Sequence, residues 1–446
     1  MYELIKGGEE NDKEEEDPSS IAFVRMEEGL KITTNTFHRS IKTATTEEDN
    51  VKSEVVVIST GEDAIVSSKS GRLASLDVFR GLTVALMILV DDLGGVIPAI
   101  NHSPWDGVTL ADFVMPFFLF IVGVSLGLTY KRLPSKMLAT KTALLRAAKL
   151  LVLGLLLQGG YFHGVKDLTY GVDIEYFRWM GVLQRIALAY LVAALCEIWL
   201  KADDVVKSKM SLLKKYCFQW VVAILLAISH MALLICGGTF TVKCGVRGDT
   251  GPACNAVGLI DRALLGIRHL YQKPIYSRTM QCSIKSPDYG SLPNNAPSWC
   301  QAPFDPEGIL SSIMAIVSCM IGLHYGHVIV HFKDHKNRIL HWMIPAFGLV
   351  VMAFILHFSG MHLNKPLYSW SYTCLTAGAA GILFTGLYVL VDVFGYRRPT
   401  FAFKWMGMHA LMIYILLACN LLPRFVMGFY WKNPENNILR LIGIGK

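Results

Sequence analysis

Charge is scarce in this chain. Only 17% of its 446 residues are Asp, Glu, Lys or Arg, while 53% are hydrophobic; a soluble domain carries about 25% charged residues. That shortage excludes an ordinary soluble domain and makes this an integral membrane protein, with a mean hydropathy of +0.41. An N-terminal apolar core is also missing, since no run of adequate length precedes Leu73. A secretory signal is therefore excluded, and insertion is expected to begin with the first span. No Cys or His spacing suits zinc, so no metal is expected. The lack of an internal repeat argues against an inverted-repeat transporter. The net charge of +7 sits in short Lys/Arg clusters between apolar runs. That pattern belongs to membrane orientation and excludes nucleic acid as a partner.

What is present points to an all-α fold, a polytopic transmembrane helix bundle with about nine spans. Residues 1–70 mix acids, lysines, Ser and Thr and are expected to form a cytosolic, disordered tail. Spans need about 20 apolar residues. They are expected near 74–92, 108–130, 143–162, 180–200, 218–237, 309–331, 339–358, 371–393 and 403–422. Clusters around Lys131, Lys214, Lys333 and Arg397 follow the even-numbered spans, which makes those loops cytosolic; the loops between, the one from Asp91 to Gly107 included, face the lumen. The chain thus divides into the tail, N-terminal spans with a candidate site loop (71–237), a lumenal Cys-containing loop (238–308) and C-terminal spans (309–446). In the lumenal loop, Cys244, Cys254, Cys282 and Cys300 are expected to oxidise. Short loops close most easily, which favours Cys244 with Cys254 and Cys282 with Cys300 among three possible pairings. Small residues, among them Gly123, Ser125, Gly127, Gly154, Gly378, Gly381 and Gly386, are expected where helices touch.

Polar groups within apolar spans mark the candidate sites, because each costs several kcal/mol there unless paired or wetted. Asp77 and Arg80 share a helix face and form either a structural ion pair or an anchor for an anionic group such as phosphate. Asp91 and Asp92 open a loop leading to Asn101, His102, Ser103, Pro104 and Trp105. His102 there is a structural residue, or a general base, nucleophile or proton relay, since imidazole titrates nearest neutrality. Asp112 either orients His102 by accepting a ring N–H or pairs structurally. Gln184 and Arg185 enter the fourth span, and Arg185 needs a partner. Asp305 and Glu307 precede the sixth span, where carboxylates suit a helix N-terminus.

Taken together, SLDVFRG at 75–81, NHSPWDGVTLADFVMPFFLFIVGVS at 101–125, GVLQRIA at 181–187, the IDRALLG and HLY pieces around Asp261 and His269, and FDPEGIL at 304–310 resemble the heparan-alpha-glucosaminide N-acetyltransferase family, plant members most closely. The resemblance runs from about Leu73 to about Tyr430. It implies a polytopic enzyme of the lysosomal or vacuolar membrane, typically a homodimer in the lipid bilayer. Such an enzyme moves acetyl from cytosolic acetyl-CoA, its co-substrate, to the amine of a terminal glucosamine in the lumen. The family's active-site His maps onto His102, and its usual Asn partner falls on Asp91. Arg80 with Asp77, and Arg185 with Gln184, become candidates for acetyl-CoA; Trp105, Asp106, Asp305 and Glu307 become candidates for the amino-sugar or glycan acceptor. His409 stands where the family usually has Asn, and the family's one further C-terminal span is expected to be lacking here, since the chain stops at Lys446.

Two other functions fit the same residues. One keeps the acyl donor and changes the glycan acceptor. The other is a transporter or an acetyl-CoA-binding membrane protein that performs no chemistry.

Overall fold

The computed structural model describes residues 73–94, 97, 100–131, 135–158, 177–202, 209–236, 248–271 and 275–419. The expected tail over 1–70, Cys244, Gly159, Gly160 and everything after 419 lie outside the described residues. Twelve helices are described: α1 (Ala74–Leu93), α2 (Leu110–Thr129), α3 (Lys136–Gln158), α4 (Val182–Trp199), α5 (Lys209–Lys215), α6 (Cys217–Cys236), α7 (Ala256–Leu265), α8 (Ile309–His331), α9 (His335–Phe358), α10 (Trp370–Tyr388), α11 (Phe401–Met408) and α12 (Ala410–Ala418). A π-helical turn, Val389–Val393, extends α10. No strand occurs among the described residues; Asp106 and Asn364 form an isolated antiparallel bridge.

Six of these helices, α2, α4, α6, α8, α9 and α10 with its π turn, are long and apolar enough to cross a membrane. The pair α11 and α12 makes a seventh if counted as one span bent by 72° at His409. Helices α1 and α3 occupy the first and third expected spans but are more charged, with Asp77, Arg80, Asp91 and Asp92 in one and Lys136, Lys141, Arg146 and Lys149 in the other. Length and apolarity alone therefore support six or seven spans rather than nine.

The centre of the bundle is backbone against backbone. A Cβ on Gly123 of α2 would stand 2.0 Å from the carbonyl oxygen of Cys319 on α8, and one on Gly322 of α8 would stand 2.2 Å from that of Phe120. Such proximity suits a membrane interior, where helices gain little from hiding apolar surface and associate through close packing. Gly81 of α1 and Gly407 of α11 repeat the arrangement, each Cβ falling within 1.8 Å of a facing backbone oxygen. Gly386, in contrast, faces open space. Around the α2–α8 seam, Phe79, Phe120, Tyr325, Trp342 and Phe384 interlock, mostly edge to face or tilted with Tyr325 parallel to Trp342, and all are buried.

The bundle has two polar ends. At one, Lys201 reaches the carbonyl of Tyr130 (3.5 Å) after α2, Tyr216 meets His331 (2.9 Å) at the end of α8, and Arg338 donates to the carbonyl of Phe332 (2.6 Å). Just inside this end Glu197 of α4 is wholly buried, and its carboxylate is held by His327 (2.7 Å), Gln219 (2.9 Å) and Lys201 (3.2 Å). A charge so placed needs such partners. At the other end lie the loops before α2, α4, α8 and α10. The segment expected as a separate lumenal loop is folded onto this end: Trp105, Val257, Tyr276, Phe304, Leu310 and Leu367 form one buried cluster. Cys282 is bonded to Cys300, as expected, and Cys254 is also in a disulfide.

Enlarging Gly322 tests the α2–α8 seam. Overpacking usually costs about 1–3 kcal/mol, and a contact with backbone leaves little room to relax. Gly322→Val is expected to lower the melting temperature of the detergent-solubilised protein by several degrees or abolish its monodisperse elution, whereas Gly386→Val is expected to elute and melt as wild type.

Candidate active site

The end of the bundle beneath the α6–α8 connection brings His102, Asp112 and Lys365 together. Thr109 and Asp112 start α2 as a capping box, with the Thr109 N–H donating to Asp112 Oδ2 over 3.0 Å. The Ser103 N–H donates to the same oxygen over 3.2 Å. The other oxygen, Oδ1, lies 2.8 Å from His102 Nδ1 and 3.3 Å from Lys365 Nζ. Nζ in turn lies 2.9 Å from Nδ1. Asp112 is buried and Lys365 nearly so, while 36% of the His102 side chain is exposed. No hydrogen bond reaches His102 Nε2 among the described residues.

Two loops hold these groups in register. The Gly107 N–H donates to the Leu363 carbonyl over 2.8 Å, and Asn364 Nδ2 donates to Asp106 Oδ1 over 3.2 Å. Asn364 Oδ1 accepts the Leu367 N–H (2.8 Å), and the Tyr368 N–H donates to the Lys365 carbonyl (3.0 Å). Tyr368 sits at φ 52°, in the left-handed region. A non-glycine residue held there costs of order 1–3 kcal/mol and persists only where its surroundings impose it. The Tyr372 hydroxyl then ties α10 to the Asp112 carbonyl over 2.6 Å.

Electrostatics favour an uncharged imidazole. Burial and then the Lys365 ammonium push the His102 pKa below its ordinary value, against Asp112 and Glu307, which pull it up. Burial alone would raise the Glu307 carboxyl, but Arg178, Arg185 and Lys365 hold it well below the usual range. Arg178 donates to both Asp305 and Glu307, and its own pKa is raised by them against burial.

The other expected site residues separate into groups. Asp77 and Arg80 form their ion pair (3.2 Å), and Arg80 also donates to Ser125 Oγ (3.2 Å) and reaches the Gly407 carbonyl (3.5 Å). Ser125 is thirteen residues along α2 from Asp112, about 20 Å at 1.5 Å per residue. Arg185 is buried near His102's end of the bundle, donating to Ser311, Ser312 and the Pro306 carbonyl with Tyr368 5.5 Å away. Its partners are hydroxyls and a carbonyl, with no carboxylate in hydrogen-bond contact. Gln184 beside it is buried, with Nε2 unpartnered among the described residues. Asp91 lies exposed at the end of α1, within electrostatic reach of Lys365 but without a hydrogen bond to His102; Asp112 occupies that place. Trp105 is buried against Tyr276 and Phe304, its indole N–H donated to the Thr250 carbonyl over 3.1 Å, so it pins the loop and presents no face to a ligand. Asp305 is fully buried under Arg178, and Glu307 nearly so.

Lys365 and Arg178 were legible only as isolated charges in short loops. A buried lysine three residues before a left-handed tyrosine has no recognisable spacing, and its partner His102 is 263 positions away.

Residues 72–237 match the family model described as heparan-alpha-glucosaminide N-acetyltransferase, catalytic. A Mus musculus protein named heparan-alpha-glucosaminide N-acetyltransferase is 29% identical over 381 residues, 78% of this chain and 53% of that one. A Homo sapiens protein of the same name is 29% identical over 405 residues, 83% of this chain and 56% of that one. This chain is thus similar to heparan-alpha-glucosaminide N-acetyltransferases. It spans about half the length of the curated relatives it matches. The stretch that matches the family model contains Arg80, His102, Asp112 and Arg185, while Glu307 and Lys365 reach the His102 end of the bundle from beyond it.

Asp261 of α7 offers a pH test at the same end. Its Oδ1 accepts the Ile309 N–H over 2.9 Å at the start of α8, while Oδ2 has no partner among the described residues. Burial, with a smaller push from Asp305, raises its pKa to about 7 against the Ile309 N–H, which lowers it. The folded state thus keeps a proton that an unfolded chain has lost above about pH 4, so this group's stabilising contribution is full below that pH and falls as pH rises through about 7. Melting temperature is expected to fall between pH 5 and pH 8, and Asp261→Asn to flatten that slope. A slope unchanged in the variant would remove Asp261 from the account.

Proposed function

We propose that this protein is a transmembrane acetyltransferase that takes acetyl from cytosolic acetyl-CoA and delivers it, with the help of His102, to the amine of a glucosamine-type sugar across the membrane. The observation that carries the reading is a partly exposed imidazole whose Nδ1 is fixed by a buried carboxylate, within the stretch that matches the family model. In the tautomer that donates Nδ1–H to Asp112 Oδ1 and leaves the Lys365 ammonium to the same oxygen, Nε2 carries the lone pair. That lone pair attacks the thioester carbonyl, the C–S bond breaks, and the thiolate takes a proton from solvent. The acceptor amine then attacks the acetyl-imidazole carbonyl; the amide C–N bond forms, Nε2 recovers its electron pair, and the amine's extra proton leaves to water or to Nε2.

Sidedness follows from charge. The clusters around Lys131, Lys214, Lys333 and Arg397 lie toward the end opposite His102 and are cytosolic by the positive-inside rule. The N-terminus is then cytosolic and His102 faces the lumen of a lysosomal or vacuolar membrane. Counting the charged helices α1 and α3 gives nine spans; in α1 the ionised groups pair, as Asp77 with Arg80, or sit at the end, as Asp91 and Asp92. Arg80, toward the cytosolic end, is the anchor for the anionic part of acetyl-CoA, its arm running up the bundle toward His102.

His102→Ala is expected to reduce acetylation of glucosamine from labelled acetyl-CoA by roughly 10²–10⁴-fold while the protein elutes as wild type. Product at the wild-type rate would end the catalytic assignment. Without acceptor, mass spectrometry is expected to find acetyl on the His102 peptide; its persistent absence during turnover assigns Nε2 the role of base instead.

A further inference from the structure

Lys365 has no part in the chemistry just described, yet it is more strongly fixed than most lysines. Only 10% of its side chain is exposed, and its ammonium sits 2.9 Å from His102 Nδ1 and 3.3 Å from Asp112 Oδ1. Its loop is fastened by Asn364, Ser369 and the left-handed Tyr368 and is bridged to the loop that carries His102. Burying an ammonium is unfavourable and needs a compensating contact. Asp112 supplies that contact, and the same carboxylate serves the imidazole.

We propose that Lys365 is a positioning residue that keeps His102 uncharged in an acidic lumen, by placing a fixed positive charge beside Nδ1 and sharing the Asp112 carboxylate. An imidazole paired with a carboxylate alone is drawn toward the protonated form, which has no lone pair at Nε2. A cation 2.9 Å from the ring opposes that tendency. The groups facing His102 are Asp112 from α2, Lys365 from the α9–α10 loop and Glu307 from the segment before α8. Asn101, whose Oδ1 accepts the His102 N–H over 2.8 Å, is approached by Arg278 at 3.4 Å, and Asp91 at the end of α1 acts on Lys365. Arg178 neutralises Glu307. Among the described residues the Lys365 ammonium is therefore the cation in contact with the ring, and it answers the Asp112 carboxylate directly.

The inference rests on the acetyltransferase reading for its purpose, but its principal test does not need activity. Diethyl pyrocarbonate reacts with neutral imidazole, so carbethoxylation of the His102 peptide, followed by mass spectrometry on the full chain in detergent between about pH 4.5 and 8, reports the charge on that ring. The wild-type midpoint is expected below about 6.5, the value of a free imidazole. Lys365→Met is expected to raise it by about one unit, lowering reactivity at pH 5.5 about fivefold, and Lys365→Arg to restore the wild-type curve. An unchanged midpoint in a Lys365→Met protein that elutes as wild type overturns the proposal. A wild-type midpoint at or above that of free imidazole overturns it too, whether or not the variants fold. In the acetylation assay the acid limb of the pH profile is expected to move up with the same variant. If the midpoint moves with Lys365 while wild type acetylates no amine, the acetyltransferase reading fails and this inference stands. An acid limb and a midpoint that both ignore Lys365 in an active enzyme leave the acetyltransferase reading and remove this one.

Discussion

Asp112 stands in the first turn of α2 with its side chain almost wholly buried, and each part of its carboxylate answers a different segment. Oδ2 receives the N–H groups of Thr109 and Ser103, starting the helix and shaping the loop before it. Oδ1 receives His102 and Lys365, and the residue's own carbonyl accepts the Tyr372 hydroxyl from α10. Helix capping and the orientation of a reactive ring are thus performed by one group. Buried carboxylates are tolerated when every acceptor position is used, and here full use requires the loop before α2 and the distant α9–α10 loop to arrive at one point.

The same rule accounts for the charges elsewhere in the bundle. Glu197 lies in apolar α4 because His327, Gln219 and Lys201 surround it, and Asp305 is buried because Arg178 covers it. Arg185 departs from the pattern: two serine hydroxyls, a carbonyl and the face of Tyr368 replace an acidic partner. The two ends differ in consequence. At the Glu197 end the imidazole of His327 is buried with its carboxylate, whereas at the His102 end the imidazole is partly exposed.

Helices were legible because apolar runs of the right length are a one-dimensional property, although only six or seven of the described helices are long and apolar enough to cross a membrane and the last is broken at His409. The third expected segment begins at Lys136 rather than near 143, since lysines on its first turn do not prevent helix formation. The Cys282–Cys300 pairing and the His102–Asp112 contact were legible for a related reason, as their partners are 18 and 10 residues apart. What could not be read was set by chain segments far apart. Lys365 looked like a lone loop charge, and Trp105 looked like a ligand platform until Tyr276 and Phe304 closed over it. Asp91 was given the partner's place by its distance from His102 along the chain, and in space Asp112 holds it.

The two glycine seams bear on how such a bundle moves. Helices separated by a layer of side chains can shear past one another by small rotamer changes, but where backbone meets backbone there is no layer to rearrange. Helices α2 and α8 are thereby keyed together as one stiff keel, and α1 and α11 as another. Any breathing that admits a long, flexible molecule between the two ends must then be borne by softer joints, such as the face of α6 that meets α8 through Trp220, His324 and Tyr216.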